Sequence, residues 1–439
     1  MQTTRLKSTK IEFKEKFKMN VGEVNYYTHS SKTKCVFVDN KELPLISIDI
    51  WCKAGSSFEE VGKNGTAHFL EHMIFKGSNK IMPGEFDYKI ESLGGLSNAS
   101  TGYDDVHYHV LVPPINFRES LALLTNIVVS PNFNPDEFVK EKGVVIDEIK
   151  QQNDQPEERL FNYFLKRVWL SPNYANSILG TEDSIKNLDI NDLEKFHNKH
   201  YTTERICIAI AGNLSGDIYK IFEKSDLSGI NNNPISTDPN LINQKNSNLL
   251  KIRNSREVIK FDNLEFSRIF MAWFIPNLSD QKNIIGLEIL ASILSVGRNS
   301  RLVKILKEDN NLVESVYVDV NAGELGGLFI LEANCENKDI ELVEKQINGT
   351  LDEIANHQIL TVDEIKKAIN IVKSNYVFNL ETATQLSSFF GNELLWGRKS
   401  SINQLESHLK YWNDLDNFKK ITEYINGDKF TLIASPSKC

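Results

Sequence analysis

Gly65-Thr66-Ala67-His68-Phe69-Leu70-Glu71-His72-Met73-Ile74-Phe75-Lys76-Gly77 is the stretch from which the rest of the chain is read. His68, Glu71 and His72 form an H-x-x-E-H pentad on a predicted helix. Residues three or four apart on a helix share a face, so both imidazoles aim at one point and the Glu71 carboxylate leans over it. Two neutral imidazoles suit Zn²⁺, and an unligated carboxylate beside them can take a proton from a water at the metal. Two His ligands leave zinc incomplete, so a third must come from elsewhere in the chain.

At 439 residues the chain is too long for one ordinary core, which predicts two domains. Its composition is globular, with 41% hydrophobic and 25% charged residues. A net charge of −9 excludes nucleic acid as the expected partner. Cys35, Cys52, Cys207, Cys335 and Cys439 are scattered, without a C-x-x-C pair, and read as reduced thiols of a cytoplasmic protein. Residues Met1–Asn20 are rich in Lys and Glu, which reads against a secretory signal, and Lys10–Lys18 reads as a solvated arm. No apolar run reaches membrane-spanning length, so no membrane partner is expected.

The polar Asn/Ser/Pro stretch 223–248 predicts a linker between an N-terminal domain, 1–222, and a C-terminal domain, 249–439. The first domain runs from a strand pair (Lys34–Val38, Leu45–Cys52) through the pentad helix to a strand at Asp105–Val112. Helices follow near Asn116–Val129, Pro135–Gln152 and Glu157–Trp169, and the strand Ile206–Ala211 closes it. The second repeats the plan: strand Ser267–Phe274, helix Asn283–Ser295, strand Leu328–Ala333, helices Glu341–Ala355 and Thr361–Glu381, strand Phe430–Ala434. Such self-similarity implies a duplicated α/β unit, and its mixed order an α+β fold with helices on one face of each mostly antiparallel sheet. Aligning Gly77 with Gly297 puts Glu288, Ala291 and Ser292 where His68, Glu71 and His72 stand. The second copy has no metal pair.

The reversed pentad and its surroundings resemble the pitrilysin–insulysin family of zinc peptidases, the inverzincins. Gly94-Gly95, Asn98-Ala99-Ser100-Thr101 and Tyr108 extend the resemblance, which is nearest to the half-length, mitochondrial-processing-peptidase-like subfamily. It implies one Zn²⁺ per chain and a third ligand on a long helix, at Glu148 in Val144-Val145-Ile146-Asp147-Glu148-Ile149. It also implies that Glu141, two helical turns earlier, is a second required carboxylate that orients a His ligand. Glu71 becomes the general base of a metalloendopeptidase acting on short unfolded peptides. Asn98, Ala99, Ser100 and Thr101 match the edge strand that pairs with substrate backbone.

The chain departs from the family in its second half. After Asn299-Ser300-Arg301-Leu302, the Arg and Tyr that grip substrate carbonyls in many relatives fall on Lys307 and Glu314. The chain also resembles half of the family's clamshell. Both points imply a partner: a zinc-free family member carrying the Arg/Tyr pair, or a second copy in a homodimer. The alternative reading is a non-catalytic, structural core-type subunit of a processing-peptidase-like complex.

Three weaker signals remain. His107 and His109 share one strand face, but nothing nearby in sequence completes a metal site, so strand packing is expected. His197 and His200 read as surface residues at a helix end. Gly323-Glu324-Leu325-Gly326-Gly327 reads as a turn rather than a phosphate loop.

Overall fold

The computed structural model describes residues 7–9, 21–214, 217–225, 227, 230, 250–355, 360–398 and 401–437. The expected Lys10–Lys18 arm lies outside the described residues, as does most of the 223–248 linker. Unit 1 contains a seven-stranded sheet: β1 (Lys7–Thr9), β2 (Glu23–Thr28), β3 (Lys34–Asp39), β4 (Ile46–Cys52), β5 (Leu96–Thr101), β6 (Val106–Val112) and β7 (Ile206–Gly212). Their order is β1-β2-β3-β7-β4-β6-β5, antiparallel throughout except for β3 with β7. Unit 2 contains β8 (Ser255–Phe261), β9 (Ser267–Ile275), β10 (Val313–Ala322), β11 (Gly327–Cys335) and β12 (Lys429–Pro436), ordered β10-β11-β9-β12-β8. Only β12 and β8 are parallel. The order β3-β7-β4-β6-β5 therefore recurs as β8-β12-β9-β11-β10, which bears out the duplication. One expectation is corrected: β3 and β4 do not pair, because the closing strand β7 inserts between them.

Helices α1 (Thr66–Ile74), α2 (Glu85–Ser92), α3 (Phe117–Val129) and α4 (Pro135–Asp154) all supply the unit 1 core. Phe69, Leu70 and Met73 of α1, Leu121 and Leu124 of α3, and Val145 of α4 meet Ile48, Ile50, Tyr108 and Ile208 of the sheet. The expectation of helices on one face only is wrong for this sheet. Every residue of β4 and β7 is buried, so both faces need cover. The second cover is the helix Ala383–Trp396, whose Leu395 packs with Trp51 and Cys207. Ser387 Oγ lies 2.7 Å from Ser47 Oγ, and the Cys207 thiol reaches the Gly391 carbonyl at 3.3 Å.

The compact units are accordingly not contiguous in sequence, whereas the expected domains 1–222 and 249–439 follow chain order. Unit 1 comprises Met1–Lys150, Ser177–Ser236 and Tyr376–Ser400; unit 2 comprises Gln151–Asn176, Thr237–Asn375 and Ser401–Cys439. Unit 2 receives α5 (Pro156–Val168), the counterpart in the duplication of Ala383–Trp396. Phe164 of α5 stacks on Phe270 of β9 at 4.9 Å between ring centroids and tilts against Phe430 of β12 at 6.0 Å. Burying such a ring contributes about 2–3 kcal/mol. Each copy thus gives an equivalent helix to the other copy's sheet. The Gly323–Gly327 stretch is the β10–β11 turn, with the Gly323 amide donating to the Gly326 carbonyl at 2.9 Å.

Close approach of the Ala383–Trp396 helix to β4 requires glycine at position 391. A Cβ there would lie 2.5 Å from Trp51 Cδ1 and 3.1 Å from Ala209 Cβ. Gly391→Ala should lower stability by about 1–3 kcal/mol in urea unfolding. Gly143→Ala in α4, where a Cβ meets nothing within 4 Å, should raise it by about 0.5–1 kcal/mol.

Candidate metal centre

Helix α1 begins at Gly65, whose φ of +88° favours glycine. The partly buried Glu59 carboxylate caps the turn, accepting the amides of Gly65 at 3.0 Å and Ala67 at 2.8 Å. Burial pushes its pKa up to about 8, against the pull of those amides. Phe69, Leu70 and Met73 anchor the helix in the core, which leaves His68, Glu71 and His72 on the remaining face.

The two imidazoles stand 4.7 Å apart between ring centroids. From α4, Glu148 Oε1 lies 3.8 Å from His68 Nε2, and Glu148 Oε2 lies 3.5 Å from His72 Nε2. One donor atom from each of the three residues lies within 4.8 Å of the other two. Ligands about 2.0–2.1 Å from a tetrahedral Zn²⁺ are roughly 3.4 Å apart, so this donor set fits zinc in type and spacing. Among the described residues no fourth His, Cys, Asp or Glu joins this group.

Glu141, buried, meets both α1 and Lys76, two residues beyond its end. Its Oε1 accepts the Nδ1–H of His72 at 2.8 Å, and Lys76 Nζ lies 2.8 Å from its Oε2. That bond fixes the His72 tautomer and leaves the Nε2 lone pair facing Glu148. Burial would raise the Glu141 pKa, but His72 and Lys76 outweigh it and hold the carboxyl low. Burial would lower His72, yet Glu141, Glu148 and Glu71 raise it overall. For His68, burial and then the neighbouring His72 depress the pKa to about 3, so the ring is neutral near neutral pH. Its Nδ1 is buried without a hydrogen-bond partner among the described residues.

Glu71 is raised by burial, and the Thr101 hydroxyl donates to its Oε2. Thr101 belongs to β5, which among the described residues is an edge strand paired with β6 alone. Asn98, Ala99, Ser100 and Thr101 all lie on that strand, and the Ala99 amide donates to the Asn98 side chain at 2.9 Å. In the second copy, Ala291 and Ser292 are simply buried in the helix Gln281–Ser295. In unit 2, Lys307 donates to the Glu314 backbone carbonyl, which brings together the two positions where an Arg/Tyr pair was expected.

Three features lay beyond the sequence reading. Glu59 carried no motif. His197 and His200 are not surface residues: His200 is buried, and His197 Nε2 bonds the Val128 carbonyl at 2.9 Å. Helix Ile190–His200 packs that face inward because Leu193 and Phe196 lie on it. His107 and His109 do acquire a third donor, Asp49, from the adjacent strand.

The model of the insulinase (M16) peptidase domain matches residues 34–182, and that of the M16 inactive domain matches 187–372. The chain belongs to the M16 peptidase family. It is 26% identical over 399 residues to the zinc protease PqqE of Helicobacter pylori, covering 89% of this chain and 87% of that one. It is 24% identical over 403 residues to the human mitochondrial-processing peptidase subunit beta, covering 88% of this chain and 79% of that one. The crystal structure of a protease from Helicobacter pylori shares the fold, with a TM-score of 0.84 at 23% identity, over 95% of this chain and 100% of that one. Among the described residues no helix of this M16 chain is long and apolar enough to cross a membrane.

Replacing Glu59 by Ala would leave two amides at the start of α1 without their acceptor. It should cost about 1–2 kcal/mol in chemical unfolding, and the loss should be smaller for Glu59→Gln, which keeps an acceptor oxygen.

Proposed function

We propose that the chain is a zinc metalloendopeptidase that cleaves short unfolded peptides in a cavity formed on dimerisation. The observation that carries this reading is the convergence of His68, His72 and Glu148 within 4.8 Å, with Glu71 tethered beside them by Thr101. His68 Nε2, His72 Nε2 and the Glu148 carboxylate would hold one Zn²⁺. Bound there, the ion supplies Lewis acidity to the scissile carbonyl and acidifies water.

The chain's own groups do the rest. Glu71 takes the proton of the attacking water and returns it to the leaving amide nitrogen, a transfer suited to a carboxyl whose pKa burial has raised. Thr101 occupies Oε2 of Glu71 and so leaves Oε1 for that proton. Glu141 holds His72 in the Nδ1–H tautomer. The outer edge of β5, across Asn98–Thr101, pairs with the substrate backbone as an added strand. Main-chain pairing tolerates many side chains, so specificity is broad.

His68→Ala, His72→Ala and Glu148→Gln should each strip zinc in a metal-content measurement. Glu141→Gln should weaken zinc about 10- to 100-fold. Glu71→Gln should keep the metal and abolish cleavage of a quenched peptide. Full zinc and full activity in Glu148→Gln would transfer the ligand role to another acid, Glu141 first.

The second half argues for a partner. With Lys307 turned onto the Glu314 carbonyl, unit 2 offers no Arg/Tyr grip at these positions. We place the missing grip on a zinc-free family member in a heterodimer, with a homodimer as the second possibility. The likeness to a processing-peptidase beta subunit favours the former. The competing reading, a non-catalytic structural subunit, predicts bound zinc without cleavage even beside the partner. The isolated chain should cleave slowly, because losing hydrogen bonds to the reacting peptide costs about 2–4 kcal/mol, roughly thirty- to several-hundred-fold. Lys307→Arg with Glu314→Tyr should recover part of that rate, and the partner more. Robust cleavage by the chain alone, unchanged by partner, would sink the heterodimer.

A further inference from the structure

The sheet of unit 1 has a second group of donors, on the face away from α1. Tyr108 and Val106 of β6 point into the helical core with Ile48 and Ile50 of β4. Strand alternation sends His107 and His109, with Asp49 and Trp51, to the opposite face, the one covered by the helix Ala383–Trp396. Asp49 stands directly across from His109 in the β4–β6 register, and Trp51 across from His107.

Asp49 is fully buried on a central strand. His107 Nδ1 lies 3.0 Å from its Oδ1, and the His107 ring stacks on Trp51 at 4.1 Å and 10°. His109 stacks against His107 at 5.6 Å and 15°. One donor atom from each of Asp49, His107 and His109 lies within 4.8 Å of the other two.

Two atoms of this group are unaccounted for. Asp49 Oδ2 and His109 Nδ1 are both buried without a hydrogen-bond partner among the described residues. A protonated His107 would balance the Asp49 charge but leave both atoms bare, and native interiors seldom tolerate that. A cation held by all three residues would satisfy them together.

We propose that Asp49, His107 and His109 form a second metal site, for a divalent transition ion of the Zn²⁺ class. Two imidazoles and one carboxylate are the donors such an ion prefers over Mg²⁺ or Ca²⁺. The His107 Nδ1–Asp49 Oδ1 pair, 3.0 Å apart, already has the separation that bonds of roughly 2.0–2.2 Å require, and the His109 donor lies within 4.8 Å of both. His107 and His109 keep some exposure, which leaves the ion a way in. The ion would clamp β6 to β4. Because His107 and His109 pair in register with Ser100 and Asn98, it would also stiffen β5 from behind. The inference does not depend on the proposed peptidase chemistry.

The test is zinc per chain on the full-length protein, dialysed against buffered Zn²⁺ and checked for folding by circular dichroism. Wild type should hold two equivalents and His68→Ala/His72→Ala one. Adding His107→Gln and His109→Gln to that variant should leave none. Asp49 stays in place, since removing a buried carboxylate risks the fold. With Co²⁺ in the His68→Ala/His72→Ala chain, visible d–d bands should appear and vanish with His109→Gln alone, a milder variant. Loss of all metal from the His68→Ala/His72→Ala chain would overturn the site. So would retention of its remaining equivalent after both β6 histidines are replaced. A single wild-type equivalent that survives His68→Ala/His72→Ala but not His109→Gln would uphold this site and refute the peptidase ligands.

Discussion

Burial of β4 and β7 on both faces is the constraint on which the rest of the structure depends. A strand with one wet face can alternate apolar and polar residues, but these two read as near-continuous apolar runs, Ile46–Cys52 and Ile206–Gly212. One face is served by helices close in sequence, and α1 comes with them. The other is served by a helix some 340 residues away from β4, as the Ser47–Ser387 contact records. The loop closure behind that contact costs roughly 5 kcal/mol of chain entropy. Apolar burial by the returning helix offsets it, helped by the bonds of Asn392 and Trp396 to Asp105 at 2.9 and 2.8 Å.

On this platform the candidate centre is assembled from three elements that meet nowhere in sequence. Helix α1 brings two imidazoles and a carboxylate, α4 brings Glu148 and Glu141, and β5 brings Thr101. Their charges are mutually dependent. Three carboxylates and two imidazoles share one corner of unit 1, and burial works against the charged forms of Glu71, Glu141, His68 and His72. Glu141 stays ionised because Lys76 and His72 both answer it, while His68 remains neutral. The neutral ring of His68 is what a metal ligand must offer, and the ionised Glu141 keeps His72 turned toward the same point.

Much of this was legible in the sequence because it depends on helical periodicity. His68, Glu71 and His72 share a face by spacing alone, whereas Glu148 and Glu141 were reached through the family resemblance, their seven-residue spacing only placing them on one helix face. The repeat was legible too, since both copies carry the same succession of elements. What escaped depends on strand register and on chain return. Asp49 completes the His107–His109 pair only because β4 and β6 are neighbours in one register, which no local pattern declares. The exchange of α5 and Ala383–Trp396 was hidden because each helix is amphipathic and would read alike over either sheet. His200 looked exposed because a polar residue at a helix end usually is; here Leu193 and Phe196 turn that face inward. β10 was overlooked although Val316, Val318 and Val320 alternate with polar neighbours, a period that the strand reading could have caught.

The reciprocal exchange of helices also sets a timetable for synthesis. Unit 1 needs residues up to Ser400 of a 439-residue chain, so its sheet stays uncovered on one side while nearly all the protein leaves the ribosome. Unit 2 needs α5 from the first half, so a fragment beginning at residue 249 lacks that cover. Cut at the midpoint, residues 1–222 would lack the Ala383–Trp396 cover of their sheet just as residues 249–439 would lack α5. The copies share one strand order, but each lends a helix to the other's sheet, and any circular permutation or split must cut elsewhere than at the midpoint.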